Sequence, residues 1–257
     1  MSKKSIIILA TEGVTTNMLY HKLEQYFNIK QVIIEDKISK KTILKNRIKK
    51  LGYFNVFGQI LFMLFIAPLL SLKSKKRINE ILTKNKIDFT QIPNSIIKKI
   101  DSINNKDIVK MITILKPDFI FVNGTRIISK HIIESINVKM INIHVGITPK
   151  YRGVHGGYWA IYNNDLNMFG TTLHYIDAGI DTGAIIDQEI IKVSKNDNYA
   201  TYSILQFCLG LNLLEKNIDL IINNKIKPKK PLTTENNLFH HPTFWQYIHK
   251  RLTKNIK

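Results

Sequence analysis

Apolar and polar positions along this chain switch between two periods, and the switches divide it into strands and helices. Ile6 to Ala10 is a short unbroken apolar run. Thr11-Glu12-Gly13 follows, and apolar residues then return at Met18, Leu19, Leu23 and Tyr26, the spacing of one helix face. That order predicts a β-loop-α unit. Gln31 to Glu35 predicts a second strand, Asn105 to Leu115 a helix that Pro117 closes, and Asp118 to Asn123 a buried strand running into Gly124-Thr125-Arg126-Ile127-Ile128. Ser129 then caps a short helix. Lys139 to Val145 reads as a strand with Met140, Asn142 and His144 on one face and Ile141, Ile143 and Val145 on the other, because side chains repeat every two residues. Gly170 to Ile176 and Ile185 to Val193 complete the strands, and Asn198 to Asn223 reads as one long closing helix. Strands that alternate with helices, some of them continuous apolar runs, predict an α/β fold with a Rossmann-like, mainly parallel twisted sheet and helices on both faces. Ligands in such sheets bind beyond the carboxyl ends of the strands. The loops after Asn123, Val145 and Ile176 are expected to open together on that edge.

One stretch breaks the alternation. Leu51 to Leu72 carries no charge and is bracketed by Lys49-Lys50 and by Lys73 to Arg77. At ~1.5 Å per residue it is long enough to cross a bilayer. Asn55, Gly58, Gln59 and Pro68 interrupt it, however, and two basic flanks give no orientation. The first expectation is a buried or dimer-interface helix, the second a helix lying on a membrane surface by its flanking lysines, the third a true span. From Lys225 onward helix signals are few. The expected division is one domain over residues 1–224, with residues 51–77 as an apolar helical insertion, and a short basic C-terminal extension over residues 225–257.

Composition narrows the classes. The 257 residues are 44% apolar, enough for a globular core. The single cysteine, Cys208, sits in an apolar helical pattern, so neither a disulfide within the chain nor a cysteine-based metal site can form, and no metal is expected. The N-terminal apolar run is too short for a signal peptide and reads as a buried strand of a cytoplasmic protein. A net charge of +19 would suit nucleic acid or an anionic membrane. Yet Asn142 to Ile191 holds two basic and five acidic residues, so the excess lies elsewhere, in Lys37 to Lys50, Lys73 to Arg77, Lys225 to Lys230 and the C-terminal tail. Heavy use of Ile and Asn makes compositional drift on solvated faces one reading of that basicity, and a phosphate or membrane function an equal one.

Candidate chemistry gathers in the Asn142 to Gly183 region. Asn142 and His144 share a strand face near its end, and Asp181 lies in the tight loop Asp177 to Gly183. An asparagine amide donates to an oxyanion without changing charge. An imidazole donates too, or handles a proton near neutral pH. A carboxylate steers an amine and relays its proton. Taken singly, each residue also has a structural reading: a turn-forming asparagine, a satisfied histidine, a turn aspartate. Together, with no metal-ligand set and no activated serine or cysteine, they suit acyl or one-carbon transfer to an external nucleophile.

At these residues the chain resembles the formyltransferases that use 10-formyltetrahydrofolate. That family includes glycinamide ribonucleotide formyltransferase, methionyl-tRNA formyltransferase and the sugar-nucleotide N-formyltransferases. The resemblance spans roughly Asp118 to Ile191 and rests on Asn142-Ile143-His144, on Thr148-Pro149-Lys150-Tyr151-Arg152-Gly153, and on His174-Tyr175-Ile176-Asp177-Ala178-Gly179-Ile180-Asp181-Thr182-Gly183. It implies a formyltransferase fold, catalysis by Asn142, His144 and Asp181, 10-formyltetrahydrofolate as donor, and no metal. It also implies a folate pocket from Gly124, Thr125, Arg126, Ile127 and Ile128, closed by Asp177, Ala178, Gly179 and Ile180. Tyr151, Arg152, Gly153, His155, Tyr158 and His174 are the candidates for substrate contact; for His174 a strand-packing role is an equal reading.

The acceptor follows by elimination. The glycinamide enzyme's glycine-rich phosphate cradle is replaced here by Ala10-Thr11-Glu12-Gly13, with an acidic residue and one glycine. The RNA-binding barrel of the tRNA enzyme has only residues 225–257 to correspond to it. The sugar-nucleotide group fits best, and the expectation is a homodimer that formylates a nucleotide-linked amino sugar, most simply a dTDP-amino-deoxysugar, for lipopolysaccharide, O-antigen or another surface glycan. Peripheral membrane contact through residues 51–77 would accompany it, and nucleic acid is not the expected partner. The alternatives are a methionyl-tRNA or other small-amine formyltransferase, and, in another class, a non-catalytic folate- or nucleotide-binding protein or a membrane-surface protein on the same fold.

Overall fold

The computed structural model describes residues 3–254. The chain enters the sheet interior at once with β1 (Ser5–Ala10), in which Ile6, Ile7, Ile8, Leu9 and Ala10 are all wholly buried. An apolar run without alternation is what a parallel strand covered on both faces requires. Through α1 (Val14–Leu23) the chain reaches β2 (Asn28–Glu35), parallel to β1. A long excursion follows: α2 (Lys40–Leu61), a π-helical turn at Phe62–Ile66 and α3 (Ala67–Lys84). Edge strand β3 (Ile97–Ile100) then precedes α4 (Lys106–Leu115) and β4 (Phe119–Asn123), and β4 pairs on the other side of β1. Next come α5 (Lys130–Ser135), β5 (Lys139–His144), β6 (Arg152–Gly153) and α6 (Gly156–Tyr162). Two more sheet strands, β7 (Gly170–Tyr175) and β8 (Ile185–Ile190), precede α7 (Tyr199–Lys216) and α8 (Ile218–Ile222). The chain ends in β9 (Leu238–Phe239), paired with β6, and α9 (Phe244–Lys254).

The seven-stranded sheet has the order β3-β2-β1-β4-β5-β7-β8. Ile6, Ile8, Phe119, Phe121, Ile141 and Ile143 pack under α1, α7 and α8, while Ile7, Leu9, Ile120, Val122 and Met140 pack under α4 and α5. The expected α/β architecture is therefore present, with Ser129 capping α5 and Asn105 capping α4. Strand order reverses between β1 and β4, where Thr11 N–H donates to the Asn123 carbonyl at 3.2 Å. At such a switch point the following loops diverge and leave a crevice.

Three expectations needed correction. β7 runs antiparallel to β5, so the loop after Ile176 leaves from the opposite edge to the loops after β4 and β5. The closing helix is two helices, broken at Asn217, whose buried amide bonds Asp187 Oδ2 at 3.0 Å and the Leu213 carbonyl at 2.8 Å. The C-terminal segment does contain a helix, α9, opened by a reciprocal cap in which Gln246 N–H donates to Thr243 Oγ1 and Thr243 N–H to Gln246 Oε1. That Thr-x-x-Gln signature was visible in the sequence.

Glu35, at the end of β2, ties the loops at the crevice together. Its buried carboxylate accepts Ile103 N–H at 2.6 Å and Arg126 N–H at 2.9 Å. It also pairs with the Arg126 guanidinium, whose Nε lies 2.6 Å from Oε1 with its N–H turned off the oxygen. Removing one partner of a buried pair leaves charge and donors uncompensated, so Glu35→Ala is expected to cost ~3–5 kcal/mol in urea denaturation. A loss under ~1 kcal/mol, typical of an exposed pair, would mean that the loops are held by something else.

Candidate active site

β5 and β7 bring the polar groups to one face. Their register sets Asn142 opposite His174 and His144 opposite Thr172, and opposed residues of an antiparallel pair point the same way. Asp181 arrives differently. Ile176 N–H bonds the Met140 carbonyl, low on β5, and the β7–β8 loop then folds back over the sheet face. Two contacts hold it there: Arg152 Nη1 donates to the Ile180 carbonyl at 2.9 Å, and Gly153 N–H donates to Asp181 Oδ2 at 2.9 Å. Asp181 takes φ 52°, a left-handed conformation that short polar side chains tolerate. Its carboxylate lies 3.4 Å from His144 Nδ1 and 3.8 Å from His174 Nε2.

Hydrogen bonds assign the proton positions. His174 Nδ1 lies 2.8 Å from the Tyr175 carbonyl, which can only accept, so Nδ1 carries the proton and Nε2 accepts from Asn142 Nδ2 at 3.1 Å. Burial, followed by the neighbouring His144, lowers the His174 pKa and keeps this neutral form. His144 is oriented in the same way. Its Nε2–H donates to the Tyr151 carbonyl at 2.7 Å, which turns Nδ1 towards Asp181. One Asn142 N–H is thus spoken for by His174, and the other is left to donate.

These groups line a cavity of about 660 Å³. One wall is the whole Gly124–Ile128 loop. A further part of the lining is unexpected: Asn46, Arg47 and Lys50 from α2, with Leu238 to His241 from the C-terminal segment.

The profile of the formyl transferase family matches residues 66–204, more than half of the chain, and includes Asn142, His144 and Asp181. The chain belongs to the formyl transferase family. A methionyl-tRNA formyltransferase from Thermodesulfovibrio yellowstonii is 34% identical over 136 residues, which are 52% of this chain and 44% of that protein. The alignments thus take in less than half the length of such curated relatives. Among solved structures, WlaRD, a sugar 3N-formyl transferase in the presence of dTDP and 5-N-formyl-THF, has a TM-score of 0.54 at 25% identity, covering 93% of this chain and 70% of its own. A 4-N formyltransferase from Francisella tularensis shares the fold at TM-score 0.57 and 23% identity, over 92% of this chain and 77% of that one.

Within this formyl transferase chain the residues expected from sequence divide by position. Asn142, His144, Asp181 and His174 converge, and Gly124, Thr125, Arg126, Ile127, Ile128, Asp177, Gly179, Ile180 and Gly153 line the cavity, whereas Ala178 does not. Ile127 is 62% exposed and offers a free apolar wall, while Ile128 is buried in the core beneath it. The Arg126 guanidinium is turned to Glu35 and to the Asp36 and Asp101 carbonyls. Four of the substrate-contact candidates act from behind. Tyr151 is wholly buried, holding His144 by its carbonyl and donating its hydroxyl to Asp165, and Tyr158 is buried beside it in the aromatic cluster. Arg152 clamps the Asp181 loop. His155 packs behind the wall, with Nε2 2.8 Å from the Tyr199 hydroxyl and 3.0 Å from His241 Nδ1. Arg47, Lys50, His240 and His241 were missed because a lysine-rich helix and a histidine pair in a tail read as solvated surface.

Burial lowers the pKa of His155 to about 3 and of His241 to about 4, with positive neighbours adding to the effect. Both rings stay neutral in the folded chain where they protonate when unfolded, so the unfolded state binds more protons below the ordinary value of 6.5. Stability is expected to be full above that pH and to fall as pH drops towards about 4. In melts from pH 7 to about 4.5, the double variant His155→Asn/His241→Asn should show a shallower fall than the natural chain. An unchanged slope would remove these two rings as the cause.

Proposed function

We propose that this protein transfers a formyl group from 10-formyltetrahydrofolate to the primary amine of a nucleotide-linked amino sugar. The observation that carries the reading is one continuous cavity, which joins Asn142, His144 and Asp181 to a basic compartment beside them. Arg47 is the centre of that compartment. It is partly buried, its Nη1 touches Met63 Sδ at 3.8 Å, and among the described residues no carboxylate pairs with it. A half-buried guanidinium beside Lys50, without an acidic partner, suits the diphosphate of a sugar nucleotide. WlaRD, with dTDP and a formyl-folate in its crystals, supports the same pairing of ligands. The reading puts the protein in the cytoplasm, on the route to lipopolysaccharide or another surface glycan.

The Gly124–Ile128 loop fits the pterin end of a folate, since it lines the cavity together with Asp177, Gly179 and Ile180 and offers the exposed side chain of Ile127. The group would supply an activated formyl carbon. The chain's own residues do the rest. The free N–H of Asn142 donates to the formyl oxygen as negative charge builds there, with His174 fixing the amide plane. His144, with Nδ1 turned to the same space as Asp181, is the second group that stabilises the oxyanion. Asp181 orients the incoming amine and takes the proton that it loses as the new N–C bond forms. That proton ends on the folate nitrogen whose bond to the formyl carbon breaks.

Release of tetrahydrofolate, followed by absorbance with a panel of dTDP- and UDP-linked amino sugars, tests the proposal. Asn142→Ala, His144→Ala and Asp181→Ala should each reduce turnover ~100- to 1000-fold, the usual loss for one oxyanion donor. Near-normal turnover in any two would sink the assignment. Arg47→Ala should raise KM for the sugar nucleotide at least ~10-fold with little change in kcat, as expected for lost ground-state binding. The names of the curated relatives favour a second reading, with methionyl-tRNA as acceptor. Formylation of charged tRNA in the same assay, with no sugar nucleotide accepted, would establish it instead.

A further inference from the structure

The α2–α3 rod has two unlike sides. Val56, Gln59 and Phe62 are buried against the domain, where Gln59 Nε2 donates to the His241 carbonyl at 2.8 Å and Phe62 meets the rings of Tyr199 and Tyr247. Lower down, Ser74 bonds Asn198 and Arg77 pairs with Asp197. The other side is apolar and open. Tyr53 is 78% exposed, Leu64 64% and Phe65 62%, and Phe54, Phe57 and Leu72 are exposed with them. Trp245 of α9 stacks on Phe54 at 4.3 Å and extends the patch. Gly58 makes room for that indole, since a β-carbon there would run into the Trp245 ring. Of the expected buried or dimer-interface helix, one side is core, and the other has no cover among the described residues.

We propose that this face docks on an anionic lipid surface. By length and composition the rod could cross a membrane, but its packed side would have to leave the domain. A helix fixed along one side and apolar along the other lies in the interface plane. Charge chooses the occupant. Residues 40–84 carry eleven Lys and Arg and a single acidic residue, Glu80, grouped at the two ends of the apolar stretch. Against a second copy, in either orientation, basic ends would meet basic ends. Against anionic headgroups both ends attract while the aromatic and leucine side chains enter the acyl boundary. Gly52, with φ 78°, kinks α2 between its basic first half and the apolar half, so one helix both carries Arg47 and Lys50 to the cavity and presents the docking face. The homodimer expected from the family resemblance would then use another surface.

Co-sedimentation of the full chain with vesicles tests this without any substrate. Binding to phosphatidylcholine vesicles that contain phosphatidylglycerol is expected to exceed binding to phosphatidylcholine alone by roughly tenfold. It should fall severalfold at about 0.5 M salt, where surface charges are screened. Leu64→Glu/Phe65→Glu should abolish it with an unchanged melting temperature. Should that variant fail to fold, Lys73→Glu/Lys76→Glu should weaken binding in its place. The proposal is overturned if the folded chain ignores anionic vesicles or if both variants bind as the natural chain does. It is equally overturned if Leu64→Glu/Phe65→Glu turns a dimer into a monomer while lipid binding is absent.

Discussion

The antiparallel pairing of β7 on β5 is the constraint on which the site rests. It sets Asn142 opposite His174, and a slip of one residue would send His174 into the α7 core and leave the Asn142 amide free to rotate. The pairing also fixes protonation. His174 gives its only proton to the Tyr175 carbonyl and must therefore accept from Asn142, so the donor that remains on Asn142 has a defined direction. Direction is what an oxyanion donor has to contribute, because a group already aligned needs no reorganisation as charge develops.

Asp181 closes the same face from above. A carboxylate near two imidazoles would be a structural ion pair if both were charged, but burial holds His174 neutral and so keeps that ring out of such a pair. The loop bearing Asp181 is itself held from the β5–α6 connection, through Arg152 and Gly153. The stretch from Thr148 to Gly153 thus serves as scaffold for the Asp181 loop, and the buried Tyr151 anchors His144 from the same segment.

Electrostatics divides the molecule. The stretch from Asn142 to Ile191 is locally acidic, and the basic excess is gathered on α2, α3 and the C-terminal segment. Part of that excess has a place in the fold: Arg47 and Lys50 turn into the cavity, Arg77 pairs with Asp197, and Lys229 pairs with Asp187. A helix that looked like an insertion therefore builds one wall of the site.

Read alone, the chain determined its α/β class, most strand positions, the Ser129 cap, and the gathering of Asn142, His144 and Asp181 in one place, because these follow from local periodicity and from a motif confined to one stretch. It did not reveal that β7 reverses direction, since a short apolar strand looks the same in either sense. Nor did it separate residues that touch the cavity from those behind it. Tyr151 and Tyr158 lie in the same motif region as Gly153, and only packing decides which of them faces inward. The other wall, from Arg47 and Lys50 to His240 and His241, unites segments nearly two hundred residues apart, and no local pattern encodes such a meeting. Tertiary structure decided it, because a side chain's charge is written in the sequence while its neighbours are set by how distant elements bury their apolar sides together.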